Sequence, residues 1–277
     1  MILEGPPVAQ KILSEVKAGV RELGFSPGLA IIRVGEDPAS RTYVGTKLKR
    51  AKECGITGVE HHLPADATQE EIAVLIEELN SDDSVSGMIL QLPIPKHLNP
   101  APLLELISPK KDADGLHPCS LGRLFEGSPG FVPATPQGVM EMLEFYKVPI
   151  SGKNAVVVGR SSMVGKPMAA LLLNANATVE ICHSRTDDLG EHTKRADILI
   201  VAVGKANLIS ADMVKEGASV VDVGMNRNEE GKLCGDVDFE NVIKKASASP
   251  VPKGVGPLTV ACLMKNVLAA AQKSASD

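Results

Sequence analysis

Four short apolar runs in the second half of the chain restrict its fold more than any other feature. They are Ala155-Val156-Val157-Val158, Thr178 to Cys182, Asp197 to Gly204 and Ala218 to Gly224, and helix-length segments lie between them. Taken together the runs are largely apolar, although Thr178 and Glu180 interrupt the second, and that near-continuous character fits strands covered on both faces. Strands of that kind, separated by helices, need right-handed crossovers and form a mostly parallel sheet. Ligands then collect beyond the carboxyl ends of the strands.

The first half repeats the theme. Val8 to Leu23 has helical spacing and ends at Gly24 and Pro27-Gly28, and Leu29 to Val34 reads as a strand closed by Gly35. Asp37 is placed to cap a helix with Pro38 at its first position, running to about Cys54 and stopped by Gly55. Val59 to Leu63 is a second strand, Thr68 to Asn80 a helix with Glu70 and Glu71 in its first turn, and Gly87 to Leu92 a third strand. The stretch Asn99 to Pro136 is rich in Pro and Gly with weak periodicity, and is expected to be an interdomain hinge and part of the site wall. Thr259 to Ala271 reads as a closing helix that crosses back to the first domain.

The expected fold class is therefore α/β, with two three-layer α/β domains. Residues 1–118 plus 259–277 form the first, completed by the C-terminal helix; residues 119–258 form the second, a Rossmann-like NAD(P)-binding domain. A length of 277 residues suffices for two cores, and 44% apolar with 23% charged residues is a folded composition. No apolar run approaches the roughly 18 residues of a membrane span, and the N-terminus lacks an export signal. The formal charge of −5 and the absence of Trp argue against a nucleic-acid partner; the basic cluster Lys47 to Lys52 reads as a solvated helix face. Cys54, Cys119, Cys182, Cys234 and Cys262 are odd in number and widely spaced, with no CxxC pair. Reduced cysteines in a cytoplasmic setting, with no metal, are the expectation.

The turn after the first of the four runs reads Gly159-Arg160-Ser161-Ser162-Met163-Val164-Gly165. Gly159 allows a tight turn, Gly165 close approach, and the helix N-terminus can receive a pyrophosphate. This is not a full GxGxxG, and a lone glycine loop is weak evidence. Its position, directly after a buried strand and before a helix, strengthens it. The next strand ends Cys182-His183-Ser184-Arg185-Thr186 without the carboxylate that an NAD site places there; Glu180 lies within the strand, two residues short of the edge. Ser184, with Arg160 or Arg185, suits a 2'-phosphate, which favours NADP. The plainer alternative is that both arginines only face solvent.

In the first half, Ser40, Tyr43 and Lys47 share one helical face by their i, i+3, i+7 spacing. Gln91 ends the third strand and Asp114 sits in the polar turn Lys110 to Gly115. Singly these mean little. Together with their neighbours they are specific: the chain closely resembles the bifunctional methylenetetrahydrofolate dehydrogenase/cyclohydrolase family. The resemblance is carried by Val34-Gly35-Glu36-Asp37-Pro38-Ala39-Ser40 with Tyr43-Val44-Gly45-Thr46-Lys47, by Gly87 to Pro95, by Pro109 to Gly115, by the glycine turn, and by Pro250 to Thr259. It runs from about residue 28 to 267.

That resemblance implies a catalytic Lys47, a Gln91 that bonds to and tunes it, a Tyr43 that positions folate, and an Asp114 that anchors the pterin-like ring. Ser40 is their polar neighbour. Gly254, Val255, Gly256 and Pro257 match the loop lining the folate–nicotinamide cleft. Gly159, Arg160, Ser161, Val164, Gly165, Ser184 and Arg185 are the implied NADP site. A homodimer acting on tetrahydrofolate one-carbon derivatives is also implied, oxidising 5,10-methylenetetrahydrofolate and hydrolysing the methenyl product to 10-formyltetrahydrofolate. One departure stands out: Lys253 replaces a family glycine, and if the position needs φ > 0 it carries strain of about 1 kcal/mol or more. A shikimate-type oxidoreductase is the nearest competing enzyme, and the Tyr43/Lys47 pair with Gln91 before Pro93 argues against it. A non-catalytic nucleotide sensor would be expected to have lost these polar residues, and all are present.

Overall fold

The computed structural model describes residues 1–128, 130–228 and 230–275. The chain forms two compact units. One comprises Lys11–Arg123, Pro129–Ala134 and Val260–Asp277; the other Met1–Gln10, Leu124–Ser128 and Thr135–Thr259.

In chain order, the elements begin with α1 (Gly5–Leu23), β1 (Gly28–Val34), α2 (Pro38–Cys54), β2 (Thr57–Leu63), α3 (Gln69–Ser81) and β3 (Gly87–Leu90). The strands make a parallel sheet in the order β2-β1-β3. Local chemistry sets the helix ends. The Asp37 side chain accepts from Ser40 N at the start of α2, with Pro38 at the first position, and Gly55 closes the helix at φ 82°. Thr68 and Glu71 form a reciprocal capping box on α3. Ala30, Ile32, Met88 and Leu90 of the sheet pack in one core with Ile72, Ile76 and Leu79 of α3. Each such side chain contributes about 1.5–3 kcal/mol on burial.

The stretch expected to be an irregular hinge instead holds α4 (Pro100–Leu106), α5 (Pro118–Glu126) and the start of α6 (Ala134–Phe145). Its prolines open helices instead of breaking them: Pro100 occupies the first turn of α4 and Asn99 Oδ1 accepts from Ala101 N. Helices of two or three turns are too short to show a 3.6-residue period.

Beyond α6 come β4 (Asn154–Val158), α7 (Gly165–Asn174), β5 (Thr178–Cys182), α8 (Leu189–Thr193) and β6 (Ile198–Val201). They are followed by β7 (Ser219–Asp222), β8 (Asn226–Arg227), β9 (Leu233–Cys234), α9 (Phe239–Val242), β10 (Ser247–Ala248) and α10 (Gly256–Ser274). Five strands form a parallel sheet in the order β10-β7-β6-β4-β5. From β4 the chain passes to β5 on one side and then to β6 on the other, so the topology switches at β4. The two-residue β8-β9 pair is antiparallel.

Residues 1–10 belong to this second unit, whereas the sequence grouped them with the first half. Ile2 bridges Ala248, and Leu3 N donates to Ala248 O at 2.9 Å. A single bridge has no periodicity to read. Strands β6 and β7 are also shorter than the apolar runs that announced them, because residues 202–204 and 223–224 turn out of the ladder to meet other partners. Among the described residues, no helix is long and apolar enough to cross a membrane.

Candidate active site

The three residues of the α2 face predicted from spacing are all at least partly covered. Ser40 and Lys47 are buried and Tyr43 is half-buried, while Lys49, Arg50 and Lys52 are exposed. The basic cluster is therefore a solvated face except at Lys47, whose residue is only 7% exposed. Its Nζ donates to Gln91 Oε1 at 2.9 Å, and Gln91 Nε2 donates to Leu92 O at 2.6 Å. Gln91 leaves β3 with its backbone N–H still bonded to Ile32 O, which fixes where its amide points. Burial lowers the Lys47 pKa, against the opposing pull of the negative Asp114. Burial also raises the Tyr43 phenol, which stays protonated at neutral pH. Among the described residues the buried Ser40 Oγ meets no acceptor or donor in good hydrogen-bond geometry, although the Asp37 carboxylate that caps α2 lies beside it and has its pKa lowered by Ser40.

Asp114 lies in a turn whose builders the sequence did not single out. Buried Asp112 accepts from Leu116 N, His117 N and Ser120 Oγ. Met88 N donates to Lys111 O, tying the segment to β3. Asn266, on α10, donates from Nδ2 to both Ala113 O and Val132 O at 2.9 Å. Gly115 has φ 69°, and a Cβ there would lie 2.5 Å from the Val132 carbonyl carbon, so only glycine fits. Burial pushes the Asp114 carboxyl up, Lys47 pulls it back, and Asp112 adds to the rise.

At the switch point of the five-stranded sheet, Gly159 (φ 133°) follows β4. A Cβ on Gly159 would lie 2.4 Å from Ala202 O, and one on Gly165 2.2 Å from Gly159 O. Gly165 thus allows the helix to approach the turn's own backbone. The Ser161 hydroxyl accepts from Val164 N at 3.1 Å and from Gly165 N at 3.4 Å, and Lys166 N reaches Ser161 O. These helix N–H groups, expected to face a pyrophosphate, are already engaged by Ser161. The N–H groups of Arg160, Ser161, Ser162 and Met163 make no hydrogen bond to an acceptor among the described residues. The uncommitted N–H groups therefore lie on the loop, a few residues ahead of the helix.

Arg160, Ser184 and Arg185 are all exposed, Ser184 and Arg185 in a turn where Thr186 N donates to His183 O. Glu180 is committed elsewhere: its Oε1 is 2.5 Å from His192 Nδ1, and its Oε2 is 3.9 Å from Arg195 Nη2. Glu180, Cys182 and His192 bring ligand-capable atoms within 4.8 Å of one another. The Arg195 cation beside them works against a metal ion there.

The 254–257 loop packs on a residue the sequence reading passed over. Gly5 N donates to Lys253 O at 2.8 Å, and a Cβ on Gly5 would lie 1.8 Å from Gly254 O. Lys253 takes φ 77° and its side chain is exposed, so the substitution does place a lysine in left-handed backbone. Relief of about 1–2 kcal/mol of strain, less about 0.5–1 for glycine's freedom in the unfolded chain, sets the expected gain. Lys253→Gly should raise unfolding stability by about 0.5–1 kcal/mol, read as a higher urea midpoint at unchanged slope. A lower midpoint would contradict the strain.

The two units thus hold two kinds of site: a glycine turn at the switch point of a nucleotide-type sheet, and a buried amine held by a glutamine near a carboxylate. Together they define a two-unit α/β enzyme of the dinucleotide-dependent class. Residues 3–114 match the tetrahydrofolate dehydrogenase/cyclohydrolase catalytic domain, and residues 133–275 match the tetrahydrofolate dehydrogenase/cyclohydrolase NAD(P)-binding domain. The chain belongs to the tetrahydrofolate dehydrogenase/cyclohydrolase family. It is 56% identical to the bifunctional protein FolD of Methanosarcina mazei over 99% of this chain and 96% of that one. The crystal structure of the bifunctional FolD of Campylobacter jejuni superposes with a TM-score of 0.97 at 49% identity, covering 99% of each chain. The Trypanosoma brucei FolD, solved in complex with NADP cofactor and inhibitor, superposes at 0.95 with 37% identity, covering 100% of this chain and 99% of that one.

Proposed function

We propose that the chain oxidises 5,10-methylenetetrahydrofolate to 5,10-methenyltetrahydrofolate with NADP+, and hydrolyses that product to 10-formyltetrahydrofolate. Family membership and the bifunctional relatives support both activities. The observation that carries the residue assignment is the nearly buried Lys47 amine, hydrogen-bonded at 2.9 Å to an uncharged partner.

Bound NADP+ supplies the hydride acceptor. The glycine turn fits it: the free N–H groups of residues 160–163 suit phosphate oxygens, and the exposed Arg160, Ser184 and Arg185 suit a 2'-phosphate. In this reading Gly159, Val164 and Gly165 shape the turn, and Ser161 holds it closed. The alternative coenzyme, with its free ribose hydroxyls, would call for a carboxylate, and Glu180 is engaged by His192.

Hydrolysis consumes water and the methenyl cation and releases one proton, so it needs a base. Lys47, its pKa lowered by burial, is the base; a cationic substrate beside it lowers the pKa further. Gln91 Oε1 accepts one N–H from the amine in either protonation state and leaves the lone pair available. Asp114 anchors the N–H donors of the pterin-like ring, Tyr43 packs on folate, and Ser40 offers its hydroxyl. Gly254, Val255, Gly256 and Pro257 form a further folate-binding loop.

We also assign the folate contacts of Ser40, Tyr43, Lys47, Gln91 and Asp114 to the unit completed by the C-terminal helix, and NADP binding to the unit with β4. The reading includes a homodimer, supported by the exposed edge strand β2, where Val59 is 49% exposed. A reducing, cytoplasmic setting is supported by five free cysteines. The test follows methenyl absorbance. It should appear with NADP+ faster than with NAD+, then decay enzymatically once the nucleotide is removed. No methenyl formation, or decay no faster than in buffer, would refute the assignment.

A further inference from the structure

Two carboxylates outside the residues above lie buried at the carboxyl edge of the five-stranded sheet. Asp236 is 0% exposed and receives four donors. Its Oδ2 accepts from Val203 N at 2.7 Å and Gly204 N at 3.0 Å; its Oδ1 accepts from Lys205 N and from Asn226 Nδ2, both at 2.8 Å. Asp222, the last residue of β7, accepts from Gly224 N, Asp236 N and Val237 N at 2.9–3.0 Å. The fit is tight. A Cβ on Gly224 would lie 2.1 Å from Asp236 Cγ, and one on Gly235 1.9 Å from Asp222 Oδ2, so both glycines make room for carboxylates.

What these carboxylates hold is specific. Residues 203–205 are the loop leaving β6, and residues 223–225 the loop leaving β7, which ends at Asn226, the first residue of β8. Strand β6 is the neighbour of β4 at the switch point. Ala202, immediately before the first loop, donates to Val158 O and presents the carbonyl that Gly159 packs against. The cofactor turn and the loop fixed by Asp236 therefore share a wall. A carboxylate can satisfy four converging N–H donors, whereas an amide turns an NH2 group toward two of them.

We propose that Asp236, seated by Asp222, is a positioning residue for NADP: it fixes the loops after β6 and β7 in the shape the dinucleotide binds. The proposal rests on the functional reading above, and the second activity tests it independently, because hydrolysis needs no hydride acceptor. In Asp236→Asn, the NADP+ dissociation constant measured by titration calorimetry should rise about 10- to 100-fold. Cyclohydrolase kcat should stay within about twofold of wild type, since no hydride transfer is involved. An NADP+ affinity within twofold of wild type would overturn the proposal. If Asp236→Asn loses both activities together or does not fold, Asn226→Ala decides, since it removes a single donor to Asp236. A rise of about threefold or more in the dissociation constant with hydrolysis intact supports the role, and an unchanged constant overturns it. Failure of the wild-type chain to oxidise methylenetetrahydrofolate would instead remove the functional reading, with NADP+ affinity still reporting on Asp236.

Discussion

Lys47→Met is expected to slow the hydrolysis of 5,10-methenyltetrahydrofolate by about 10²- to 10⁴-fold, the usual worth of a positioned general base, while NADP+ binds with near wild-type affinity. Methionine keeps an unbranched apolar stem of similar length and removes only the amine. The stability of the variant gives a second readout. Burial lowers the lysine pKa in the fold, so the folded state penalises the ammonium. That penalty is full below the folded pKa and fades as pH rises toward the unfolded value. At pH 7 the variant should therefore unfold at a denaturant midpoint no lower than wild type, which separates loss of chemistry from loss of fold. The depressed pKa also sets the wild-type pH dependence: hydrolysis should rise with pH through the lysine titration, at a pH below that of an ordinary lysine. Unimpaired hydrolysis in the variant would remove Lys47 from the mechanism.

Legibility from sequence followed the length scale of each signal. The capped helix α2 was readable because Asp37, Pro38 and Gly55 each act locally, and the structure has them at its ends. The parallel strands were readable because an apolar run shows in sequence whether or not its partners are known. Lys47 could be placed on a face by spacing, but its burial could not, since Lys49, Arg50 and Lys52 around it make the segment look solvated. The residues that sequence missed act across long separations. Asn266 clamps the turn at Ala113 from 153 positions away, and Asp236 gathers N–H groups 31 to 33 positions upstream. Nothing in an aspartate or asparagine announces which backbone it will meet. The short helices α4 and α5 were missed for a different reason: with so few turns, their proline-rich starts outweighed their periodicity.

Gly165→Ala should damage both the stability of the nucleotide unit and its cofactor turn. Backbone strain is not the cause, since Gly165 does not sit at positive φ. The cause is contact: the added Cβ would lie 2.2 Å from Gly159 O, 2.5 Å from its carbonyl carbon and 2.7 Å from Arg160 N. All three are backbone atoms, so no side-chain rotation can relieve the overlap. The turn itself must move, and Gly159 cannot retreat easily, because its own Cβ position is 2.4 Å from Ala202 O. Overpacking of this kind costs about 1–3 kcal/mol or more. Displacement of residues 159–163 also removes the row of free N–H groups assigned to phosphate, so NADP+ affinity should fall by at least about 10-fold. Gly122→Ala is the matched control: among the described residues nothing outside the helix's own backbone lies within 4 Å of its Cβ position in α5, and alanine there should stabilise by about 0.5–1 kcal/mol. Paired urea denaturation and calorimetric NADP+ titration of the two variants make the comparison. Gly165→Ala with wild-type stability and wild-type NADP+ affinity would show that the turn is not held against its helix as tightly as these distances require.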